Sequence, residues 1–467
     1  MMLFKIAFRN ILRNGRRSLM TASAIAVGAI ALIMFGEYVG YMVRGFETGI
    51  VANSGHVSVF HKGYIDNGTG NPAGYSISGY RKVMALIEND PELKPMITVV
   101  TPTVTLFGIA GNFDIDTSKT FLGTGVVPSD LDKMRHWNDY GIFGSPSRFP
   151  IRDGDDAHGI VGVGLARMLG LCKPLKVPNC PSPPQTDEPA KIVAAGPAGL
   201  DLAELASRDR DPSRLAPADN GARIDLLAAT ATGAPNVVGI TIIKARSQGA
   251  KEYDDMYVGM TIGLAQQLLY GRGEHKAVSI MIQLQHTADI PKAMVRLNAL
   301  FKEHKLDLEV RDFRELQPQY NLVIGFFGAI FLFISVIMGV IVLFTVVNTM
   351  SMSVMERTNE IGTARAMGVR RSGIRRQFLV EGWMLGLIGA TAGVALSAVI
   401  AAWFNTVGAT WTPPGEASPI PLKLLTSGVL GFQFVIWLAL VLIAIVAALI
   451  PSNRAARMPV VDALRHV

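Results

Sequence analysis

Charge is scarce in this sequence: Asp, Glu, Lys and Arg make up 17% of 467 residues, against about 25% in soluble globular chains. Cysteine is scarcer. Cys172 and Cys180 are the only two, which excludes a dense disulfide framework, and without a nearby histidine they supply only half a zinc ligand set. No G-x-x-x-x-G-K-[ST] is present, so the chain cannot cradle nucleotide phosphates in a P-loop by itself. G-x-S-x-G and H-E-x-x-H are also missing. The densest polar cluster, Arg152 to His158 (RDGDDAH), lacks the spacing and closing Glu of a calcium loop and reads as a solvated turn. No catalytic residue and no metal site is expected.

The charge that is missing is missing in blocks. Ser18 to Gly36, Leu322 to Val347, Gly382 to Phe404 and Leu424 to Ile450 carry no Asp, Glu, Lys or Arg. A bilayer core of about 30 Å needs roughly 20 helical residues, so four transmembrane helices are expected, over residues 18–41, 320–350, 378–404 and 424–450. The basic stretch before the first favours a retained signal anchor over a cleaved signal peptide. Glu37 and Glu381 fall near span ends and read as interfacial, with Glu381 able to pair with a nearby arginine cluster. The middles of the spans hold almost no charge, unlike ion-coupled carriers.

Basic residues concentrate beside the spans. Residues 1–17, 351–377 and 451–467 together hold 14 basic and 3 acidic residues, whereas the whole chain is only +7. Lys and Arg stay on the cytoplasmic side. Both termini and the 351–377 loop are therefore expected inside, with residues 42–319 and the short 405–423 loop outside. The basic balance is a topology signal and not a nucleic-acid footprint, because no aromatic stacking residues interleave with it. Within residues 1–17, Phe4, Phe8, Ile11 and Leu12 form one helical stripe and Lys5, Arg9, Arg13 and Arg16 another. That reads as an amphipathic helix on the inner leaflet, or as a basic tail that only fixes orientation.

The outer segment is large enough for a substantial core. His56–Phe60, Ile97–Ile109, Val278–Leu284 and Leu308–Phe313 have strand patterns, while Tyr80–Asn89 and Ile290–Lys305 have helical ones. Two β-α-β units, one near each end, suggest a split ferredoxin-like layer over about 42–119 and 236–319, with an inserted lobe over about 120–235. The fold class is thus an α+β membrane protein with a large α/β domain between its first and second spans. Residues 172–190 contain six prolines and read as an extended surface loop. Cys172 and Cys180, outside the cytoplasm, are expected to form a disulfide that stiffens it.

Residues 351–389 (SMSVMERTNEIGTARAMGVRRSGIRRQFLVEGWMLGLIG) contain an E-R-x-x-E-I-G-x-x-R-A-x-G segment: Glu356, Arg357, Glu360, Ile361, Gly362, Arg365, Ala366 and Gly368. The C-terminal run IPSNRAARMPVVDALR and the N-terminal FRNILRNGRRSLMT carry further patterned arginines. These elements resemble the FtsX/MacB family of ABC transporter permeases. GHVSVFHKGY, EYDDMYVGM and AQQLLYG look closest to the lipoprotein-releasing LolC/LolE branch.

The resemblance implies a non-catalytic subunit of the bacterial inner membrane with its large domain in the periplasm. Two such permeases, alike or different, would pair, each with a cytoplasmic ABC ATPase that binds ATP and Mg. A helix over Glu356–Met367 would present Glu360 and Arg365 to that ATPase. Arg370, Arg371, Arg375 and Arg376 would hold anionic lipid or partner carboxylates, or would only fix topology. The expected function is periplasmic extrusion or transfer of a hydrophobic cargo, lipoprotein or lipid, by mechanotransmission, with the proline-rich loop as a docking point for a periplasmic acceptor. The alternative is a signalling scaffold that activates a periplasmic enzyme and transports nothing.

Overall fold

A computed structural model describes residues 2–68, 70–142, 148–178, 180, 222–271, 275–412, 420–426 and 428–460. In chain order the principal elements are α1 (Met2–Arg13), α2 (Gly15–Ser54), β1 (Val57–His61), α3 (Tyr80–Asn89), β2 (Ile97–Asn112), β3 (Thr117–Val126), α4 (Pro128–Arg135), β4 (His158–Val161), α5 (Val163–Met168), β5 (Arg223–Ala229), β6 (Pro235–Ala245), β7 (Tyr257–Thr261), α6 (Ile262–Tyr270), β8 (Ser279–Leu284), α7 (Ile290–Glu303), β9 (Leu308–Asp312), α8 (Pro318–Glu356), α9 (Thr358–Ala366), α10 (Arg371–Val407) and α11 (Leu430–Arg457). They fall into a helical unit (residues 1–47, 318–411 and 420–467) and a sheet unit built on Thr48–Gln317.

In the helical unit, α2, α8, α10 and α11 are long and apolar enough to cross a membrane. Each uncharged run lies inside a helix that continues past it, except the last. There residues 424–426 are not helical, and α11 begins only at Leu430, after Gly428 at φ 71°. Large apolar side chains on α8, such as Leu322, Phe326, Phe333 and Phe344, are exposed. The inward faces instead bring Ile25, Ala29, Val342, Val346, Leu385, Leu440 and Ala444 together in one core. Small residues set the closeness of α10 to its neighbours, because without a hydrophobic drive in lipid, helices associate by tight van der Waals contact.

In the sheet unit nine strands run in the order β9-β1-β8-β2-β3-β7-β4-β6-β5. The first four are mutually antiparallel and carry α3 and α7 in their connections, the split β-α-β arrangement. Their helices are amphipathic for a simple reason: Tyr80, Val83 and Ile87 of α3, and Ala293, Leu297 and Leu300 of α7, recur at three- and four-residue steps and are buried.

The lobe differs from its expected bounds of 120–235. β2 is 16 residues long. Its first half pairs with β8, while its second half pairs with β3 on one side and β5 on the other. The six strands β2-β3-β7-β4-β6-β5 thereby close on themselves, and β6, β7 and α6 belong to this ring rather than to the layer resuming at 236. One long Val/Thr/Ile strand can serve both sheets because its backbone donors and acceptors alternate edges along its length. At Gly108 a Cβ would lie 2.2 Å from the Leu227 carbonyl oxygen, so the closing contact requires glycine. Leu106, Phe121, Leu226, Ile240, Met260 and Leu268 share the buried interior.

His56, wholly buried, joins the end of α2 to the sheet. Its Nδ1 accepts the Leu284 amide at 2.9 Å, its Nε2 lies 3.3 Å from the Thr287 hydroxyl, and its ring meets Trp137 edge-on. The amide contact requires an unprotonated Nδ1. Burial is the main reason its pKa falls from 6.5 to about 4, with Asp139 opposing and Arg314 adding to the fall. The unfolded chain therefore takes up this proton first as pH drops. The stability His56 contributes is full above about pH 6.5 and is lost as pH falls through about 4, a change of about 3 kcal/mol overall. Denaturant unfolding should find wild type less stable at pH 5 than at pH 7 by about 2 kcal/mol from this group, and His56→Gln should remove that increment. An unchanged pH slope in the variant would refute the assignment.

Candidate functional site

The turn between α8 and α10 gathers the motif residues. Glu356 closes α8, and Arg357 leaves the helix at φ −108°, ψ 18°. The expected helix over Glu356–Met367 therefore starts later, at Thr358, whose hydroxyl donates to the Met355 carbonyl at 2.7 Å. It ends in a Schellman turn: the Val369 amide donates to the Ala364 carbonyl, the Gly368 amide donates to that of Arg365, and Gly368 sits at φ 92°. A left-handed residue is what that motif requires, and glycine adopts it without Cβ strain.

Arg357 is only 4% exposed. Its Nη1 donates to both carboxylate oxygens of Glu381, at 2.9 and 3.2 Å, and Asn10 Nδ2 donates to the same Glu381 at 2.6 Å. The carboxylate of α10 thus ties the start of α9 to α1. An exposed pair, Arg13 with Glu360 at 2.6 Å, reinforces that link, and a second, Arg17 with Glu356, joins α2 to the end of α8. Arg365 reaches the other way, donating to the Ala456 and Met458 carbonyls at the end of α11, at 2.9 and 3.2 Å, where a cation also meets the negative end of the helix dipole. Ile361 and Gly362 are buried, with Ile361 in the core beside Ile374 and Phe378.

Several expectations change. Glu381 is buried and paired with Arg357, not with the 370–376 cluster. Glu37 is also buried, accepting from Gln433 Nε2 at 2.8 Å. In both cases a facing helix supplies a polar partner, which a linear reading of one span cannot show. Arg365 is used inside the unit, leaving Glu360 half exposed on its pair with Arg13. Ala366, Arg370, Arg371, Arg375 and Arg376 are exposed.

Asn10 falls within the N-terminal FRNILRNGRRSLMT run, but sequence reasoning gave it no role, because nothing local shows its partner Glu381. Sequence reasoning also missed Met367, 75% exposed, and Val369, 42% exposed, whose sign is two apolar residues among arginines. The segment from Arg357 to Val369 is therefore an anchored knob. Its inner side is bonded to α1, α10 and α11, and its outer side exposes Met367 and Val369, with the exposed Arg370 and Arg371 next in sequence.

In the sheet unit the Arg152–His158 cluster braces a turn. Asp153 accepts the Ser129 amide at 2.9 Å, Asp155 pairs with His158 at 2.7 Å, and Asp156 accepts the Thr261 hydroxyl. Among the described residues no three His, Cys, Asp or Glu side chains group as metal ligands. Cys172 and Cys180 are disulfide-bonded. Residues 172–175 form one helical turn instead of extended chain, since Pro174 falls in a first turn, where its missing N–H costs nothing. Asn179 and residues 181–190 of the expected loop lie outside the described residues.

The family described as FtsX-like permease C-terminal matches residues 332–460, from within α8 through the knob to the end of α11. The chain carries an FtsX-like permease domain. Relatives similar to it are macrolide export ATP-binding/permease proteins MacB. That of Hyphomonas neptunium is 30% identical over 241 residues, 50% of this chain and 34% of the relative. That of Burkholderia cenocepacia is 28% identical over 235 residues, 49% and 31%, and that of Pectobacterium atrosepticum is 36% identical over 121 residues, 26% and 17%. The chain spans about a third of the length of the first two. The FtsX-like domain thus holds all eight motif residues, whereas Asn10 and Arg13 reach it from α1 and Arg17 from the start of α2.

Proposed function

We propose that this chain is the membrane subunit of an ABC transporter in the bacterial inner membrane, with residues 42–319 in the periplasm. A separate cytoplasmic ATPase, using ATP and Mg, docks on the knob from Arg357 to Val369. A second permease subunit completes the assembly. Nucleotide-driven movement of the ATPase displaces the knob, and the helical unit relays that displacement to the sheet unit, which expels or hands on a hydrophobic cargo. The observation that carries this reading is the buried Arg357–Glu381–Asn10 joint together with the Arg365 contacts. Through them α9 cannot shift without α1, α10 and α11. Bistable packing of that kind turns a small local push into a larger rearrangement.

The spans are poor in charge and suit transmission better than conduction. The name of the MacB relatives specifies macrolide export; a hydrophobic cargo, lipoprotein or lipid, is the reading adopted for this chain. The FtsX-like match, and the naming of the MacB relatives as ATP-binding/permease proteins of which this chain matches about a third, support an ATPase partner.

Met367→Asp tests the docking surface without touching the internal network. The co-encoded ATPase should copurify with the wild-type chain, and its recovery should fall at least tenfold with the variant, about 1.4 kcal/mol or more of lost binding. Undiminished recovery with Met367→Asp would move the interface elsewhere. A well-folded wild type that recruits no ATPase would end the transporter reading.

A further inference from the structure

The Arg357–Glu381–Asn10 joint borders a polar cavity within the helical unit. Asn14 lines it from the turn between α1 and α2, Arg17 and Ser18 from the start of α2, Thr349 and Ser353 from α8, and Glu381 from α10. The space open to the centre of a water molecule is about 20 Å³. One water needs about 10–15 Å³ of such space, so a single water fits and a phosphate or lipid headgroup does not.

The Glu381 carboxylate is short of donors. Its Oε1 accepts from Asn10 Nδ2 at 2.6 Å and from Arg357 Nη1 at 2.9 Å. Among the described residues its Oε2 accepts only the longer Arg357 bond, 3.2 Å. A carboxylate offers about four acceptor sites, so one on Oε2 is still to be filled at a residue 4% exposed. Neither donor belongs to α8, although Thr349 and Ser353 of that helix reach the same cavity. Arg17 on one wall and Glu381 on another balance in charge, so the space suits a neutral dipolar ligand better than an ion of either sign. Cavities that stay dry are lined by apolar groups, whereas this one presents donors and acceptors together.

We propose that the cavity holds one ordered water, which donates to Glu381 Oε2 and ties the joint to α8 through the hydroxyls there. A bridging water of this kind is nearly as good a bond as a direct one. The end of α8 is then linked to the joint by an exchangeable molecule, where α1 and the start of α9 are linked by side chains. The site stands on the cavity and the Glu381 contacts alone, so it holds or fails apart from the transporter reading.

X-ray radiolysis of the full chain in nanodiscs tests it. Ionised water releases hydroxyl radicals that oxidise the side chains beside it, and Met350 lines the cavity at 2% exposure. Met260, fully buried in the apolar interior of the sheet unit, is the dry reference, while Met352 and Met355, 49% and 57% exposed, report bulk solvent. Fragment mass spectrometry assigns the added oxygen to each methionine. Expected is at least tenfold more oxidation of Met350 than of Met260. Ser353→Val, which fills the cavity, should return Met350 to the Met260 level, whereas Ser353→Ala, which leaves the room and Thr349, should not. Oxidation of Met350 as low as that of Met260 in wild type would mean a dry cavity and overturn the proposal. Undiminished oxidation of Met350 in a folded Ser353→Val would overturn it too. Should that variant not fold, the wild-type ratio of Met350 to Met260 decides alone.

Discussion

Glu381→Leu is expected to destabilise the helical unit by about 3–5 kcal/mol, the usual cost of breaking a buried ion pair from one side. Arg357, 4% exposed, would lose both of its bonds to Glu381 and keep the half-exposed Glu360, 3.5 Å from its Nε, as its carboxylate neighbour among the described residues. Because that cost comes from the stranded cation and not from any great net strength of the pair, Arg357→Met combined with Glu381→Leu should recover most of the loss. Unfolding in mixed micelles measures both. The double variant should nonetheless fail to transmit: ATPase copurifies with it while cargo release stays near background. If the double variant is as unstable as the single one, the pair is not the element that matters. If it is stable and fully active, the joint is structural only and the relay does not pass through it.

The second large effect is expected at Gly393. A Cβ there would stand 2.5 Å from the Ala29 Cβ and 2.8 Å from the Ala26 carbonyl oxygen, and at Gly389 one would stand 2.8 Å from the Ala22 carbonyl oxygen. The obstacle is backbone of α2, which has no rotamer to change. Gly393→Val must therefore push α10 off α2 along a full turn. Overpacking of a core typically costs about 1–3 kcal/mol, and the absence of any side chain that can yield places this site at the upper end or beyond. A drop of many degrees in the detergent-solubilised midpoint should follow. Gly325→Ala, where a Cβ meets nothing within 4 Å, is the control and should be neutral or slightly stabilising. Equal midpoints for Gly393→Val and the control would mean that α2 and α10 are not packed this closely.

Local pattern gave away much of this architecture. Tyr80–Asn89 is legible because three- and four-residue apolar steps leave one face to bury, and Ile97–Ile109 because β-branched residues crowd it, although the strand runs on to Asn112. Closure of the lobe was not legible. Whether Ile109 pairs with Thr120, with Leu227 or with both depends on register between segments far apart in sequence, and no single strand carries that information. At the knob the motif residues stood out by type and spacing. What each one does was hidden for the same reason. Arg357 and Arg365 are both arginines within five residues of Glu360, yet one is sealed inside against Glu381 and the other caps α11. Only the arrival of α1 and α11 separates them.

That arrival has a schedule. Asn10 and Arg13 meet partners 371 and 347 residues later in the chain. At synthesis rates of about 5–20 residues per second, α1 exists for roughly 20–70 s before Glu360 and Glu381 are made. During that interval its polar groups have no protein to bind, and Phe8 and Leu12 remain uncovered even in the finished fold. A helix with one basic and one apolar face can wait on an anionic lipid surface, held there by the same arginines that later close on the knob. The first dozen residues thus wait longest for their partners, and a chain truncated before α10 would still offer Glu360 to Arg13 but leave Asn10 without Glu381.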